Sequence, residues 1–326
     1  MQVIRWGILG LGKIANKFAS DLLLVDHTKL IAVASTNLER AKSFASCYGA
    51  NNFYGSYNEL FQDPAVDIIY IASLHPQHAS LSIKSLLNGK AVLCEKPLAM
   101  NAIQVEEMIN VSKEKNIFLM EALWTRFNPA FCQAKTWIDQ GSLGSIHYIN
   151  ATFSFNGISR GKDSRLFSPI KGGGTLLDIG IYPIFLAYYF LGIPNTIKAS
   201  AHITPEGIDK QLAIILTYEH AHAILYSSFT HNEDMRATIA GENGEIYMDD
   251  RWHESPTLNL VQSKVKTPKS FKFLGLGYSY EIMEASQCLR EGIIESSKWS
   301  HQNSLELMKI IDSVRKIVGI SYPSDI

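Results

Sequence analysis

An excess of charge of either sign is missing from this chain. Across 326 residues, 30 Lys and Arg nearly balance 31 Asp and Glu, so no global field would hold nucleic acid or an anionic membrane surface. Partners are expected to be small molecules or further copies of the chain. Cysteine is scarce: Cys47, Cys94, Cys132 and Cys288 are scattered without a paired spacing, which fits reduced thiols in the cytoplasm better than a disulfide frame. No basic, apolar leader precedes the first strand-like run, and no apolar run approaches membrane-spanning length, so a soluble protein is expected. Repeats, low-complexity tracts and long linkers are absent too. What remains is an ordinary globular balance, 46% apolar and 19% charged, at a length that suits two domains.

The first half alternates. Residues 3–9 are apolar and strand-like and run into Gly10-Leu11-Gly12-Lys13-Ile14-Ala15, followed by a helical pattern through Phe18, Leu22 and Leu23. Glycines suit a tight turn where a pyrophosphate approaches bare backbone and a helix N-terminus, and the small Ala15 lets helix and strand pack closely. A second buried strand, residues 30–35, ends about 20 residues beyond Ala15, where a ribose would be read. An acid there would bind the ribose hydroxyls of NAD and repel the extra phosphate of NADP. The chain offers Ser35, Thr36 and Asn37 instead, with Arg40 in the next helix and Lys13 in the turn. That favours NADP, with NAD possible.

Further strands are expected at 66–72, 91–95 and 117–121, with helices at 78–88 and 103–115 between them. A capping box, Ser56 to Glu59, opens a shorter helix. Strands alternating with helices at this spacing predict a doubly wound parallel sheet with ligands at the carboxyl ends of its strands. Three segments lie at such ends: Ser73-Leu74-His75-Pro76-Gln77-His78, Glu95-Lys96-Pro97, and Glu121 through Trp124 to Arg126. Lys96, held by the following proline, points to the cleft where a nicotinamide would lie. His75 and His78 lack a grouped third ligand, and His220 and His222 are weaker still, so no metal site is expected.

After Arg126 the pattern changes. A helix at 129–140 is followed by strand-like runs at 147–155, 196–204, 212–218, 223–230, 235–240 and 245–248, and helices at 280–291 and 304–318 close the chain. Consecutive strands with short turns predict an α+β domain with a large, mostly antiparallel sheet. The expected domains are therefore residues 1–122 and 123–326. Within the second, Gly172-Gly173-Gly174-Thr175-Leu176-Leu177-Asp178-Ile179-Gly180-Ile181-Tyr182-Pro183 places two ionisable side chains four residues apart behind a glycine run. With Thr175 as N-cap, Asp178 and Tyr182 would share one helix face.

Taken together, the glycine turn, Glu95-Lys96-Pro97 and the Gly-Gly-Gly to Asp178 segment resemble the glucose-fructose oxidoreductase / inositol dehydrogenase / MocA (Gfo/Idh/MocA) family over essentially the whole length. Residues 75–78, 91–97, 120–127 and 177–182 are most similar to its dimeric dihydrodiol dehydrogenase and NADP-dependent D-xylose dehydrogenase subgroup, which carries tyrosine at the Tyr182 position. Relatives often have arginine where this chain has Thr36. The resemblance implies a Rossmann domain, a sheet domain used for substrate binding and homodimerisation, and hydride transfer between NADP and a sugar or cyclic diol. Gly10, Gly12, Lys13, Ile14, Ala15, Ser35, Thr36, Arg40, Ser73, Leu74, His78, Glu95, Lys96 and Arg126 are the expected cofactor-side residues.

A phenol ordinarily ionises near pH 10, so Tyr182 as general acid/base would need help from Lys96 and the helix N-terminus. Asp178 would bind a substrate hydroxyl or orient Lys96. Trp124 and Phe155 would wall the ring, and Arg126 would serve ligand or pair with Glu121. A non-catalytic NADP-binding sensor would not need Lys96 and Tyr182 together. A glucose-fructose type oxidoreductase with captive cofactor would need an export leader and a gripping arm.

Overall fold

The computed structural model describes residues 1–161 and 163–325. The chain divides into two compact units, Met1–Phe127 with Phe273–Leu305, and Asn128–Lys272 with Glu306–Ile326. The single boundary expected at 122/123 is thus corrected: a carboxy-terminal segment returns to the first unit. The reason is a buried carboxylate, because Asp21 accepts amide hydrogens from Leu276, Tyr278 and Ser279. No local pattern marks so distant a bond.

The first unit is built on six strands: β1 (Ile4–Leu9), β2 (Thr28–Ala34), β3 (Asn52–Tyr54), β4 (Ile68–Ile71), β5 (Ala91–Glu95) and β6 (Leu119–Ala122). Their order is β3-β2-β1-β4-β5-β6, all neighbours parallel. Helices α1 (Lys13–Leu22), α2 (Leu38–Tyr48), α3 (Tyr57–Gln62), α4 (His78–Leu87) and α5 (Ala102–Lys115) make the crossovers. Strands β4, β5 and β6 are buried throughout, as expected where helices cover both faces. This is the dinucleotide-fold strand order, whose direction reverses between β1 and β4. Strand β3 was not expected. It has only three residues and sits at the sheet edge.

The second unit opens with α6 (Pro129–Asp139), β7 (Ile146–Ser154) and α7 (Ile181–Leu191), followed by β8 (Thr196–Ile203), β9 (Asp209–Thr217), β10 (His222–Ser228), β11 (Ala237–Gly241), β12 (Glu245–Met248), β13 (Thr257–Gln262) and β14 (Val265–Ser270). The sheet order is β14-β13-β12-β11-β7-β10-β9-β8; only β7 and β10 pair in parallel. Helix α7 packs on β7 and β10. The stretch Pro169–Leu191 does reach membrane-spanning length and apolarity, against the sequence-based expectation, but 83% of its most apolar window is buried inside the protein. Burial identifies it as a core helix. Helices α8 (Ser279–Glu291) and α9 (His301–Val318) end the chain.

Candidate functional site

In the first unit, β1 ends at Gly10, whose φ is +86°. A Cβ there would stand 2.7 Å from the Ala72 carbonyl oxygen and 2.9 Å from the Ser73 nitrogen, so only glycine lets β1 and the end of β4 close together. Gly12 is the N-cap of α1, with φ −90° and no side-chain cap. A Cβ on Gly12 would meet nothing within 4 Å. Open space thus lies before the unsatisfied first amides of α1, at the reversal point of the sheet, which is the cradle that a pyrophosphate fits. Lys13 and Ile14 begin the helix, and Ala15 is fully buried behind it.

At the end of β2, Ser35 is buried and its Oγ accepts from the Asn37 amide at 3.2 Å. Asn37 in turn caps α2 by accepting from Arg40 N at 2.9 Å. Thr36 and the Arg40 side chain are exposed. No carboxylate occupies residues 35–37, so this strand end carries no charge that would oppose a 2′-phosphate.

Ser73 is half-buried and Leu74 exposed, whereas His78 has no exposed surface. The His78 ring reaches two backbone carbonyls, Pro97 at 2.8 Å from Nδ1 and Ser73 at 3.3 Å from Nε2. It ties the loop after β4 to the loop after β5. Glu95 likewise turns inward: its carboxylate accepts from the Tyr70 hydroxyl and from Lys96 N at 3.2 Å. Burial pushes the Glu95 carboxyl up, opposed by the positive charge of Lys96 and the Tyr70 bond. Lys96 itself is half-buried and joined to Pro97 by a cis peptide.

Trp124 stacks on Tyr278 at 4.7 Å with the rings 11° apart, over Gly277. Tyr278 was not foreseen from sequence, because the segment that brings it lies far along the chain. Arg126 Nε donates to the Lys298 carbonyl at 2.9 Å. The pairing of Arg126 with Glu121 gives way to another network, in which Glu121 accepts from Leu98 N, Trp299 Nε1 and Ser304 Oγ.

In the second unit, the chain enters α7 through one wide π turn, Leu176–Gly180. Thr175 is not an N-cap: its backbone is already helical, and its hydroxyl donates to Asp209 at 2.6 Å. Asp178 lies in the π turn and Tyr182 in the first turn of α7, so their spacing is not that of one regular α-helix. Asp178 is buried and accepts from Arg165 at 2.8 Å. Tyr182 is also buried, with the Phe153 and His253 rings each 5.3 Å from its own. Phe155 packs instead on Phe229 at 5.1 Å, beneath the Arg160 guanidinium at 4.8 Å. The apolar neighbour of Tyr182 is therefore Phe153, two residues earlier. Arg165, Phe153 and His253 carry no sequence signal beyond their type. Among the described residues no cluster of metal-ligating side chains occurs.

A parallel sheet in this order, with a bare glycine turn at its reversal point, defines a dinucleotide-binding domain. Residues 4–123 match the oxidoreductase family with an NAD-binding Rossmann fold, and residues 131–247 match the GFO/IDH/MocA C-terminal domain. The chain is 38% identical over 333 residues to trans-1,2-dihydrobenzene-1,2-diol dehydrogenase of Xenopus tropicalis, covering 98% of this chain and 99% of that one. The Homo sapiens protein of the same name is 36% identical over 337 residues, covering 99% of both. Among solved structures, the 3-ketoreductase KijD10 of Actinomadura kijaniata, in complex with NADP and TDP-benzene, superposes with a TM-score of 0.87 at 25% identity, covering 97% of this chain and 98% of that one. That enzyme has also been solved with one lysine replaced by alanine or glutamate and with one tyrosine replaced by phenylalanine. The chain belongs to the Gfo/Idh/MocA family, an oxidoreductase family with an NAD-binding Rossmann fold.

Proposed function

We propose that this enzyme transfers a hydride between the nicotinamide of NADP and a hydroxyl or carbonyl carbon of a sugar or cyclic trans-diol, with Tyr182 as general acid/base, Lys96 as its electrostatic support and Asp178 as a substrate-hydroxyl ligand. Gly10, Gly12, Lys13, Ile14 and Ala15 would hold the NADP pyrophosphate, with Ser35, Thr36 and Arg40 toward the ribose phosphate. Bound NADP supplies the hydride acceptor for oxidation, and the donor for reduction.

The chain's own residues manage position and protons. In oxidation, Tyr182 Oη takes the hydroxyl proton as the C–H bond breaks, and it returns that proton in reduction. A phenol ordinarily ionises near pH 10, about three units above neutrality, so phenolate needs a positive neighbour. Lys96 is assigned that role. The Asp178 carboxylate, held by Arg165, would accept from a second hydroxyl of the substrate and fix which carbon presents its hydrogen.

The observation that carries this reading is the pairing of two features in one buried helix start: an anchored carboxylate and a phenol walled by Phe153 and His253. The substrate class draws support from relatives named for a dihydrodiol and from a 3-ketoreductase solved in complex with TDP-benzene. A panel of pentoses, hexoses and trans-dihydrodiols with NADP, followed by absorbance of reduced cofactor, tests it. Turnover confined to some other alcohol class would reject it.

A homodimer belongs to the same reading. Ile224 on β10 lies opposite Ile215 on β9, and the two are 44% and 40% exposed. Tyr148 on the adjoining β7 is exposed as well. An open sheet face with such residues is the kind that a second copy covers. The cytoplasm is the proposed location, supported by four cysteines that form no disulfide among the described residues; fractionation of cells checks it.

A further inference from the structure

The turn that delivers Asp178 and Tyr182 is held by a carboxylate that no motif marks. Asp209, the first residue of β9, has no exposed surface. Its Oδ2 accepts from Thr175 Oγ1 at 2.6 Å and from the Leu176 amide at 2.7 Å. The second of these is an unsatisfied first amide of the π turn, so Asp209 does from another strand what an N-cap does locally. Thr175 spends its hydroxyl proton on Asp209 and accepts in turn from Ser227 Oγ at 3.2 Å. Gly174, at φ +109°, lies so close that a Cβ on it would overlap Asp209 Oδ1. From the carboxy-terminal segment, Tyr322 Oη donates to the Gly173 carbonyl at 2.7 Å.

We propose that Asp209 is a positioning residue for the reaction: its carboxylate fixes the Gly172–Gly174 turn and the start of the π turn, and thereby the placement of Asp178 and Tyr182. The inference rests on the roles assigned to those two residues above. A carboxylate accepts from both Thr175 and Leu176 through one oxygen without supplying a proton of its own. Protonation removes the charge that makes both bonds strong. Burial raises the Asp209 pKa to about 6 against the pull of Thr175 and Leu176, which puts that loss within the range of an ordinary assay. The titratable groups around it are Tyr322, with Arg315 and Asp325 beyond it, and Asp178 within the π turn; Ser227 on β10 offers only a hydroxyl.

The test compares Asp209→Asn, Thr175→Val and Tyr182→Phe on a substrate that the unmodified enzyme turns over. For Asp209→Asn near pH 8, turnover should fall by at least about ten-fold while NADP affinity stays within about two-fold. The unmodified enzyme should show an acid-side decline near pH 6, and that decline should vanish in Asp209→Asn. Thr175→Val, which keeps the shape and removes one donor, should lower turnover in the same direction by a smaller factor. If Asp209→Asn does not fold, Thr175→Val carries the test alone. Turnover unchanged in the variant that folds, or a loss of turnover matched by equal losses of NADP affinity and melting temperature, overturns the proposal. Unchanged turnover with Asp209→Asn beside a large loss with Tyr182→Phe rejects the inference and leaves the proposed function standing. Near-normal turnover of Tyr182→Phe rejects both.

Discussion

Replacing the two glycines of the nucleotide turn one at a time separates fold from ligand. At Gly10 an alanine must adopt φ +86° and place its methyl carbon 2.7 Å from a backbone oxygen. The left-handed backbone costs on the order of 1–3 kcal/mol, and the overlap cannot be relieved cheaply, because the Ala72 amide is itself bound to Leu9 O at 2.8 Å. A total near 3 kcal/mol corresponds to a melting temperature lowered by roughly 6–12 °C for a unit of this size. At Gly12 the backbone, φ −90° and ψ −166°, suits any residue, and the methyl would enter open space. Gly12→Ala should therefore change stability by no more than about 0.5 kcal/mol. The same methyl would stand where phosphate oxygens must approach the α1 amides, so NADP affinity should drop by about ten-fold or more, roughly 1.4 kcal/mol. Thermal melts and NADP titration by protein fluorescence read the two effects. Unaltered NADP affinity in Gly12→Ala, or an unaltered melt in Gly10→Ala, would refute the reasoning.

Three other outcomes follow from the same geometry. Ser35→Asp can keep the bond to Asn37 N and adds a carboxylate at the β2 end, so kcat/KM should fall at least about ten-fold with NADP and rise with NAD; equal or better efficiency of the unmodified enzyme with NAD would contradict the selection assigned to this strand end. Ile224→Arg should convert a dimer to a monomer in light scattering at micromolar concentration, and a dimer that survives the change would locate the interface elsewhere. Because the folded Asp209 pKa is raised to about 6, its stabilising contribution is complete below its unfolded value and is lost as pH rises through about 6. Ionised Asp209 then costs on the order of 3 kcal/mol above that pH, and the melting temperature of Asp209→Asn relative to the parent should climb between about pH 4 and 7; a flat difference would deny that Asp209 titrates there.

The legible parts of the molecule were those written in contiguous residues. A strand, a glycine turn and a helix in succession exposed the nucleotide cradle, and the spacing of apolar runs gave the parallel sheet. Strand β14 is not legible in the sequence because Val265–Ser270 is exposed along its whole length and exists through pairing with β13, Thr257–Gln262. The return of residues 273–305 to the first unit depends on Asp21 binding amides more than 250 positions away. Thr175 was misread for a related reason: capping rules look to the next turn, whereas the amide of Leu176 is served by Asp209 from β9. Arg165 and Phe153 are found only where the chain, once folded, sets them beside Asp178 and Tyr182.

The central claim is that Tyr182 moves the substrate proton, and Tyr182→Phe tests it by removing one hydroxyl while leaving the ring beside Phe153 and His253. On a confirmed substrate the variant should bind NADP as the parent does and lose about 10² to 10⁴ in turnover, the usual worth of general acid-base assistance. Lys96→Met should show a similar defect, and the double variant should cost far less than the product of the two. Turnover of Tyr182→Phe within a few-fold of the parent would contradict the account, and would leave Tyr182 as a core aromatic of α7.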